Sequence, residues 1–149
     1  MQLWKSFLEL TITRRLRLGP NAQFLVGASG AVFDWPIVLN YIASLVTQTF
    51  YTATRAVRVT SISGRVRVAG TGGACTISFF KVPSGTAVGS GTLLHSGSFN
   101  LVGAVDTVQT LVLIPGAGLT LAAGDSIGYV LTGTATSAVG TVSVSVTPV

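Results

Sequence analysis

The sequence predicts an all-β fold, a jelly-roll-like β-sandwich preceded by an extended N-terminal arm. Two observations lead to this prediction. From residue 56 onward, short runs of alternating apolar and polar residues are separated by turns rich in Gly, Pro, Ser and Asp. A strand roughly every ten residues is typical of sandwiches and jelly rolls. Helical periodicity is scarce, since only residues 37–46 fit a short helix, and they fit a strand equally well.

A change of texture along the chain predicts two regions. Residues 1–70 carry eight Lys/Arg and two acids, whereas residues 71–149 carry one Lys and two Asp. Both Trp residues lie in the first part, and the Gly-rich turns follow it. We therefore expect an N-terminal arm over residues 1–48 that contacts other subunits. A β-sandwich domain over residues 49–149 has a common domain size.

Alternation assigns the inward faces of the strands in this domain. In residues 56–69 the valines share one face, and Arg58, Arg65 and Arg67 lie on the other. Gly64 interrupts this run and indicates a bulge or a tight turn between two strands. Shorter runs at 92–101, 107–114 and 119–121 add further strands. The remaining inward faces are those of Cys75, Ile77 and Phe79, of Ile127, Tyr129 and Leu131, and of Val142, Val144 and Val146.

Composition excludes several classes of protein. Charged residues make up 9% of the chain, against about 25% in ordinary soluble domains. Cys75 has no second cysteine to pair with, and together with His95 it provides two of the roughly four ligands of a structural zinc site. A chain this apolar is not expected to be disordered. We expect no cofactor, no metal and no small-molecule substrate.

The mean hydropathy of +0.68 raises the question of a membrane span. The long uncharged runs, residues 35–54, 82–105 and 126–149, contain many Gly, Ser and Thr residues and no sustained Leu, Ile or Phe stretch. We therefore expect no transmembrane helix and no membrane partner. Glu9 and the arginines that follow it occupy the place of an apolar signal core, so no secretory signal is expected.

Candidate catalytic groups are few, and each has a simpler structural interpretation. Asp106 and Asp125 lie in turns, where an Asp side chain bonds the nearby backbone. His95 lies close to Ser96 and Ser98, but the chain lacks the Gly-x-Ser-x-Gly turn of a hydrolase nucleophile. A single histidine in an alternating strand is usually at or near the surface. The glycines of residues 70–74 lack the Lys-Ser/Thr end of a phosphate-binding loop. We expect no enzyme.

The arm has the residues of a protein interface. Residues 8–18 alternate between Leu or Ile and polar residues, which places three arginines beside a leucine stripe. Arginine and aromatic side chains are enriched at protein interfaces, whereas nucleic-acid contact needs denser positive charge and stacking aromatics. In the alternative, the arm folds back and completes its own sandwich. The candidate interface residues are Trp4, Phe7, Leu10, Arg14, Arg15, Arg17, Phe24, Phe33 and Trp35.

Several turn and strand segments of the sequence form a recognisable pattern: Phe33-Asp34-Trp35-Pro36, residues 50–55, residues 82–87, residues 93–96, residues 121–128 and the closing residues 140–148. These segments resemble small structural proteins of tailed bacteriophages, and among these the capsid decoration (cement) proteins. The resemblance covers most of residues 30–149 and lies in turn and strand patterns.

The resemblance implies a virion structural protein on the outer surface of the capsid. Such proteins are β-sandwiches, often homotrimers, that bind the major capsid protein and clamp adjacent shell subunits against genome pressure. Their N-terminal arms commonly reach neighbouring subunits. No residue-level site is implied.

Two other functions stay open at this point. A phage tail, fibre or head-fibre module would bind host glycan through an exposed aromatic residue, for which Phe79, Phe80, Phe99 and Tyr129 are the candidates in the β domain. A jelly-roll capsid protein would use its basic arm on packaged nucleic acid, with a steep dependence on salt.

Overall fold

The structure, a computed structural model, describes residues 35–42, 46–71, 73–134 and 136–149. Within these ranges the chain forms eleven β-strands and two 3-10 turns. The 3-10 turns are Val88–Ser90 and Ala117–Leu119. The strands are β1 (Trp35–Ile42), β2 (Gln48–Thr52), β3 (Val57–Val68), β4 (Thr76–Val82), β5 (Thr92–Leu93), β6 (His95–Ser96), β7 (Phe99–Asn100), β8 (Val108–Leu113), β9 (Thr120–Leu121), β10 (Ser126–Thr132) and β11 (Val139–Pro148).

The strands form two antiparallel sheets with the topology of a jelly roll. The first sheet has the order β1-β11-β3-β8-β6, with β9 also paired to β3, and the second has the order β2-β10-β4-β5, with β7 also paired to β4. The first described strand pairs with the last, and each following pair lies further inward in the sequence: β1 with β11, β2 with β10, β3 with β8, and β4 with β5. A long two-stranded ribbon folded over itself has this pairing. The predicted jelly-roll-like sandwich is confirmed.

The core lies between the sheets and is built from most of the predicted inward residues. Leu131 is partly buried, and the prediction for Val68 is wrong: it is 49% exposed, because a register shift at Arg67 breaks the alternation at the end of β3. On β11, Val142, Val144 and Val146 are buried, and the Ser and Thr residues between them face outward. The second sheet contributes an aromatic cluster in which the ring of Phe79 lies 6.1 Å from Phe50 and 6.4 Å from Tyr129. Burial of each large apolar side chain stabilises the fold by about 1.5–3 kcal/mol.

β3 is one continuous strand, and the prediction of a bulge or turn at Gly64 is wrong. The register of β3 against β11 shifts at two other places, where Thr60 and Arg67 are the extra residues. Gly64 serves a different purpose, because its Cα faces the core beside the ring of Phe99. Glycine is required at position 64 because a side chain there would not fit between β11 and Phe99. The backbone conformation of Gly64 is one that any residue can adopt.

β1 places part of the predicted arm in the sandwich. Trp35–Ile42 pairs with β11 over eight residues, and Leu39 and Tyr41 are buried in the core. These residues therefore fold back onto the sandwich, as in the alternative to an inter-subunit arm, and they form a strand rather than a helix. The phenol of Tyr41 reaches past Gly140 and donates a hydrogen bond of 3.4 Å to the carbonyl oxygen of Arg65. Residues 1–34 lie outside the described residues, so the arm there stays a prediction.

Replacing Gly64 with Ala tests this packing. The new Cβ would lie 2.5 Å from the carbonyl oxygen of Thr141 and 2.9 Å from the Phe99 ring, so we expect the free energy of unfolding to fall by about 1–3 kcal/mol. Gly73→Ala is the matched control, because nothing lies within 4 Å of its Cβ position. Urea denaturation of both variants measures the difference, and equal stability of the two would contradict the packing role.

Candidate functional site

The outer face of the first sheet carries an open groove of about 400 Å³. It lies over the middle of β3 and β11, where Ser63 pairs with Ser143 and Arg65 with Thr141. The small hydroxyl side chains form its floor. Arg67 and Asp106 line one end, and Val108 lines the side that belongs to β8.

The arginines of this face have no carboxylate partner among the described residues. Arg58, Arg65 and Arg67 are exposed on the outer side of β3, and the ion pair found in this part of the chain joins Lys81 to Asp125, at 3.2 Å, on another part of the surface. The sequence showed these arginines only as the polar side of a strand. The groove needs the pairing of β3 with β11 and β8, which alternation along one strand does not reveal.

Asp106 and Asp125 lie at turns, as predicted, and the side chain of Asp125 makes the predicted bond to the nearby backbone. Asp125 accepts a hydrogen bond of 2.9 Å from the backbone N–H of Ala122, and that bond together with Lys81 lowers the pKa of its carboxyl. Asp106 lies in the turn before β8 with a φ of 59°. Its backbone N–H donates to the carbonyl oxygen of Val66 at 2.8 Å, which extends the pairing of β8 with β3.

His95 lies in the core, so the expectation of a surface or half-buried histidine is wrong. It is fully buried, and its Nε2 accepts a hydrogen bond of 2.9 Å from the backbone N–H of Phe79. Its Nδ1 lies 3.4 Å from the carbonyl oxygen of Ser96. These contacts assign the proton to Nδ1, because Nε2 must be an acceptor. The ring is therefore engaged on both sides by the backbone.

The path of the chain explains why Phe79 needs this partner. On the edge away from β10, β4 pairs with β5 at Phe80 and with β7 at Ile77. Between these two contacts the chain crosses to the first sheet, where β6 pairs with β8. The imidazole of His95 replaces the missing strand neighbour at the N–H of Phe79. Burial lowers the pKa of His95, and the smaller effect of the Ser96 and Gly97 carbonyls opposes this.

The other candidate groups are also part of the core or stand apart. Cys75 is buried as predicted, and burial raises the pKa of its thiol. Within the described ranges no three His, Cys, Asp or Glu side chains lie close enough to hold a metal ion. Of the candidate glycan-stacking residues, Phe79, Phe99 and Tyr129 are fully buried and Phe80 is partly buried. No helix in the described part of the chain is long and apolar enough to cross a membrane.

Trp35 is the one candidate interface residue that falls on the described part of the chain. It begins β1, opposite Val146, and is 44% exposed. The guanidinium carbon of Arg55 lies 4.3 Å from the centre of its ring, a cation–π contact that holds the indole at the end of the sheet. The other candidates lie outside the described residues: Trp4, Phe7, Leu10, Arg14, Arg15, Arg17, Phe24 and Phe33.

Comparison with solved structures finds the fold in a virus particle. The chain is similar to one in the cyanophage Pam1 capsid asymmetric unit, with a TM-score of 0.50 and 14% sequence identity, over 91% of this chain and 95% of that chain. A chain from disulfide-linked pili of Bacillus endospore appendages matches with a TM-score of 0.35 and 15% identity, over 89% of this chain and 96% of that chain. No family model and no curated protein matches the sequence.

The buried His95 predicts how stability depends on pH. The pKa of the histidine is about 6.5 in the unfolded chain and lower in the folded one. The unfolded state therefore binds more protons as the pH falls below about 6.5. We expect the free energy of unfolding to be highest above that pH and to decrease as the pH drops toward the folded-state pKa, as measured by urea denaturation.

His95→Gln is the matched variant for this experiment. Its amide oxygen can accept the Phe79 hydrogen bond and does not titrate, and the chain has one histidine. The variant should lose the decrease between about pH 7 and pH 5. The contribution of Asp125 lies at lower pH, because the fold lowers the pKa of that carboxyl from its ordinary value of 3.8. An unchanged pH dependence in the variant would contradict the role of His95.

Proposed function

We propose that this chain is a virion structural protein of a tailed bacteriophage that decorates the outer capsid and clamps adjacent shell subunits. The observation that carries the proposal is the jelly-roll sandwich, whose likeness to a chain of the cyanophage Pam1 capsid asymmetric unit covers most of both chains. The phage-like turn and strand segments of the sequence support the same function. The proposal assigns the chain no catalysis.

The described surface fits a protein that acts by contact. Its histidine and cysteine are buried in the core, and its second aspartate is held in a turn. What the first sheet presents to solvent is a row of hydroxyl side chains, three arginines and the exposed valines Val38, Val108 and Val112. Such a mixed polar and apolar face is ordinary for protein–protein interfaces.

The proposed mechanism is mechanical. The sandwich is a rigid body that sits on one shell subunit, and residues 1–34 reach a neighbouring subunit of the major capsid protein or a second copy of this chain. Genome pressure must then separate both contacts at once. A weak contact repeated over a particle adds up through avidity. A homotrimer at the junction of shell subunits would place three arms around one point.

Particles made without this chain test the clamp. Phage particles from which the gene has been deleted should release DNA at a lower temperature than complete particles, because adjacent shell subunits lose their bridge. Adding the purified full chain should restore the release temperature, which a DNA-binding dye measures. Restored decoration without any change in release temperature would contradict the clamp.

Removal of residues 1–34 tests the arm. The shortened chain keeps every described strand, so we expect its circular dichroism and a cooperative unfolding transition to be retained. Its binding to particles that lack the chain should weaken by at least about tenfold, since one of two linked contacts is lost. Sedimentation of the particles with bound chain measures this. Binding equal to that of the full chain would contradict the role of the arm.

A further inference from the structure

We propose that the groove on the outer face of the first sheet binds an extended acidic segment of a protein partner, whose carboxylates pair with Arg65 and Arg67. The inference rests on the proposed function in one respect, which is that the partner is a shell subunit. It goes beyond that function by naming the surface and the chemistry of the contact.

The open face of the sandwich is the one that bears the groove. On the second sheet, the segment around the 3-10 turn Val88–Ser90 lies over the outer side, so that a Cβ added to Gly128 would lie 2.8 Å from the Val88 side chain. On the first sheet, the outward residues of β3 and β11 line an open groove. A partner that docks on a sheet face therefore meets fewer obstacles on the first sheet.

The spacing of the arginines matches an extended acidic segment. Arg65 and Arg67 are both exposed on β3, two positions apart, and Arg67 is the extra residue of a bulge against β11. Their Cα atoms are therefore separated by at most the about 6–7 Å that two residues of a regular strand span. Alternate residues of an extended partner lie on one face at a similar spacing. Each guanidinium can hold a carboxylate through two parallel hydrogen bonds. Two acidic residues separated by one other residue would therefore face both arginines.

The rest of the groove suits a peptide backbone and small side chains. Ser63 and Ser143 on the floor offer hydroxyl groups to the polar groups of a partner chain. Val108 and Val38, which are 52% and 51% exposed on strands of the same sheet, offer apolar area on either side. Extended segments that dock on a sheet commonly combine polar contacts with such shallow apolar ones.

Charge on the described residues favours an acidic occupant. Five Lys/Arg stand against two Asp in this part of the chain, and Lys81 is already paired with Asp125. Asp106 at one end of the groove is the one acid near Arg65 and Arg67 among the described residues, and it forms no ion pair with them. An incoming carboxylate would give these arginines the partner that they lack.

A protein partner fits this face better than nucleic acid does. The outward residues of the described strands β1, β3, β8 and β11 are Ser, Thr, Arg, Val, Asn and Pro, so no aromatic ring lines this face for a base to stack on. Proteins that bind single strands rely on such stacking. The exposed ring of Trp35 lies at the end of β1, opposite Val146, and is in contact with the Arg55 guanidinium.

The test compares two variants of the full chain that change the net charge by the same amount. Arg65→Gln with Arg67→Gln removes two positive charges from the groove. Ser84→Glu with Thr132→Glu adds two negative charges at exposed positions of the second sheet and its loop. Binding to particles that lack the chain is measured at low and at high NaCl concentration. We expect the groove variant to bind at least about tenfold more weakly at low salt, and the control to bind like the original chain.

Two further comparisons distinguish the possible outcomes. Arg65→Lys with Arg67→Lys should recover part of the affinity, because lysine keeps the charge but loses the two-pronged geometry. Equal binding by the groove variant and the original chain, or equal weakening of the groove variant and the control, would overturn the inference while the proposed function stands. Failure of the original chain to bind particles would overturn both. Tighter binding of a duplex DNA oligonucleotide than of a synthetic (Glu-Ser) repeat peptide, lost in the groove variant, would assign the face to nucleic acid and overturn the inference.

Discussion

The pairing of β3 with β11 is the interaction on which the rest of the molecule depends. Its register sets the inner and outer faces of the first sheet together: Val144 lies opposite Ile62 in the core, and Ser143 lies opposite Ser63 at the floor of the groove. A slip of one residue would move the whole set to the opposite face. The ribbon topology adds β1 and β8 on the two sides of this pair. Core and surface are thus two results of one register.

The second constraint is the crossing of the chain between the sheets. After Leu93 the chain leaves the second sheet, pairs with β8 at His95 and Ser96, and returns at Phe99. A buried backbone N–H without a partner costs about 1–3 kcal/mol. The imidazole of His95 avoids this cost by accepting the hydrogen bond from the backbone N–H of Phe79. The buried side-chain polar atoms of the described residues all have partners. His95, the one histidine of the chain, therefore serves the fold through this hydrogen bond.

Alternation made the inward faces predictable, because valine and serine on the same strand differ strongly in their preference for the core. Gly64, His95 and the groove were not predictable in this way. Gly64 depends on the position of Phe99, and His95 depends on a strand neighbour that is missing. The groove depends on which strands lie side by side. In each case the decisive contact joins residues distant in sequence. The strand β1 was ambiguous, since its residues fit a helix as well, and pairing with β11 decided it.

The proposed function follows from the jelly-roll fold, its likeness to a chain of a phage capsid and an exposed face that can contact a partner. Its central claim is that many copies of this chain decorate each particle. The most direct test is the number of copies in purified particles relative to the main shell protein, measured by quantitative mass spectrometry with labelled standard peptides. A decorating clamp predicts copies comparable in number to the shell subunits. A few copies per particle, or none, would contradict it.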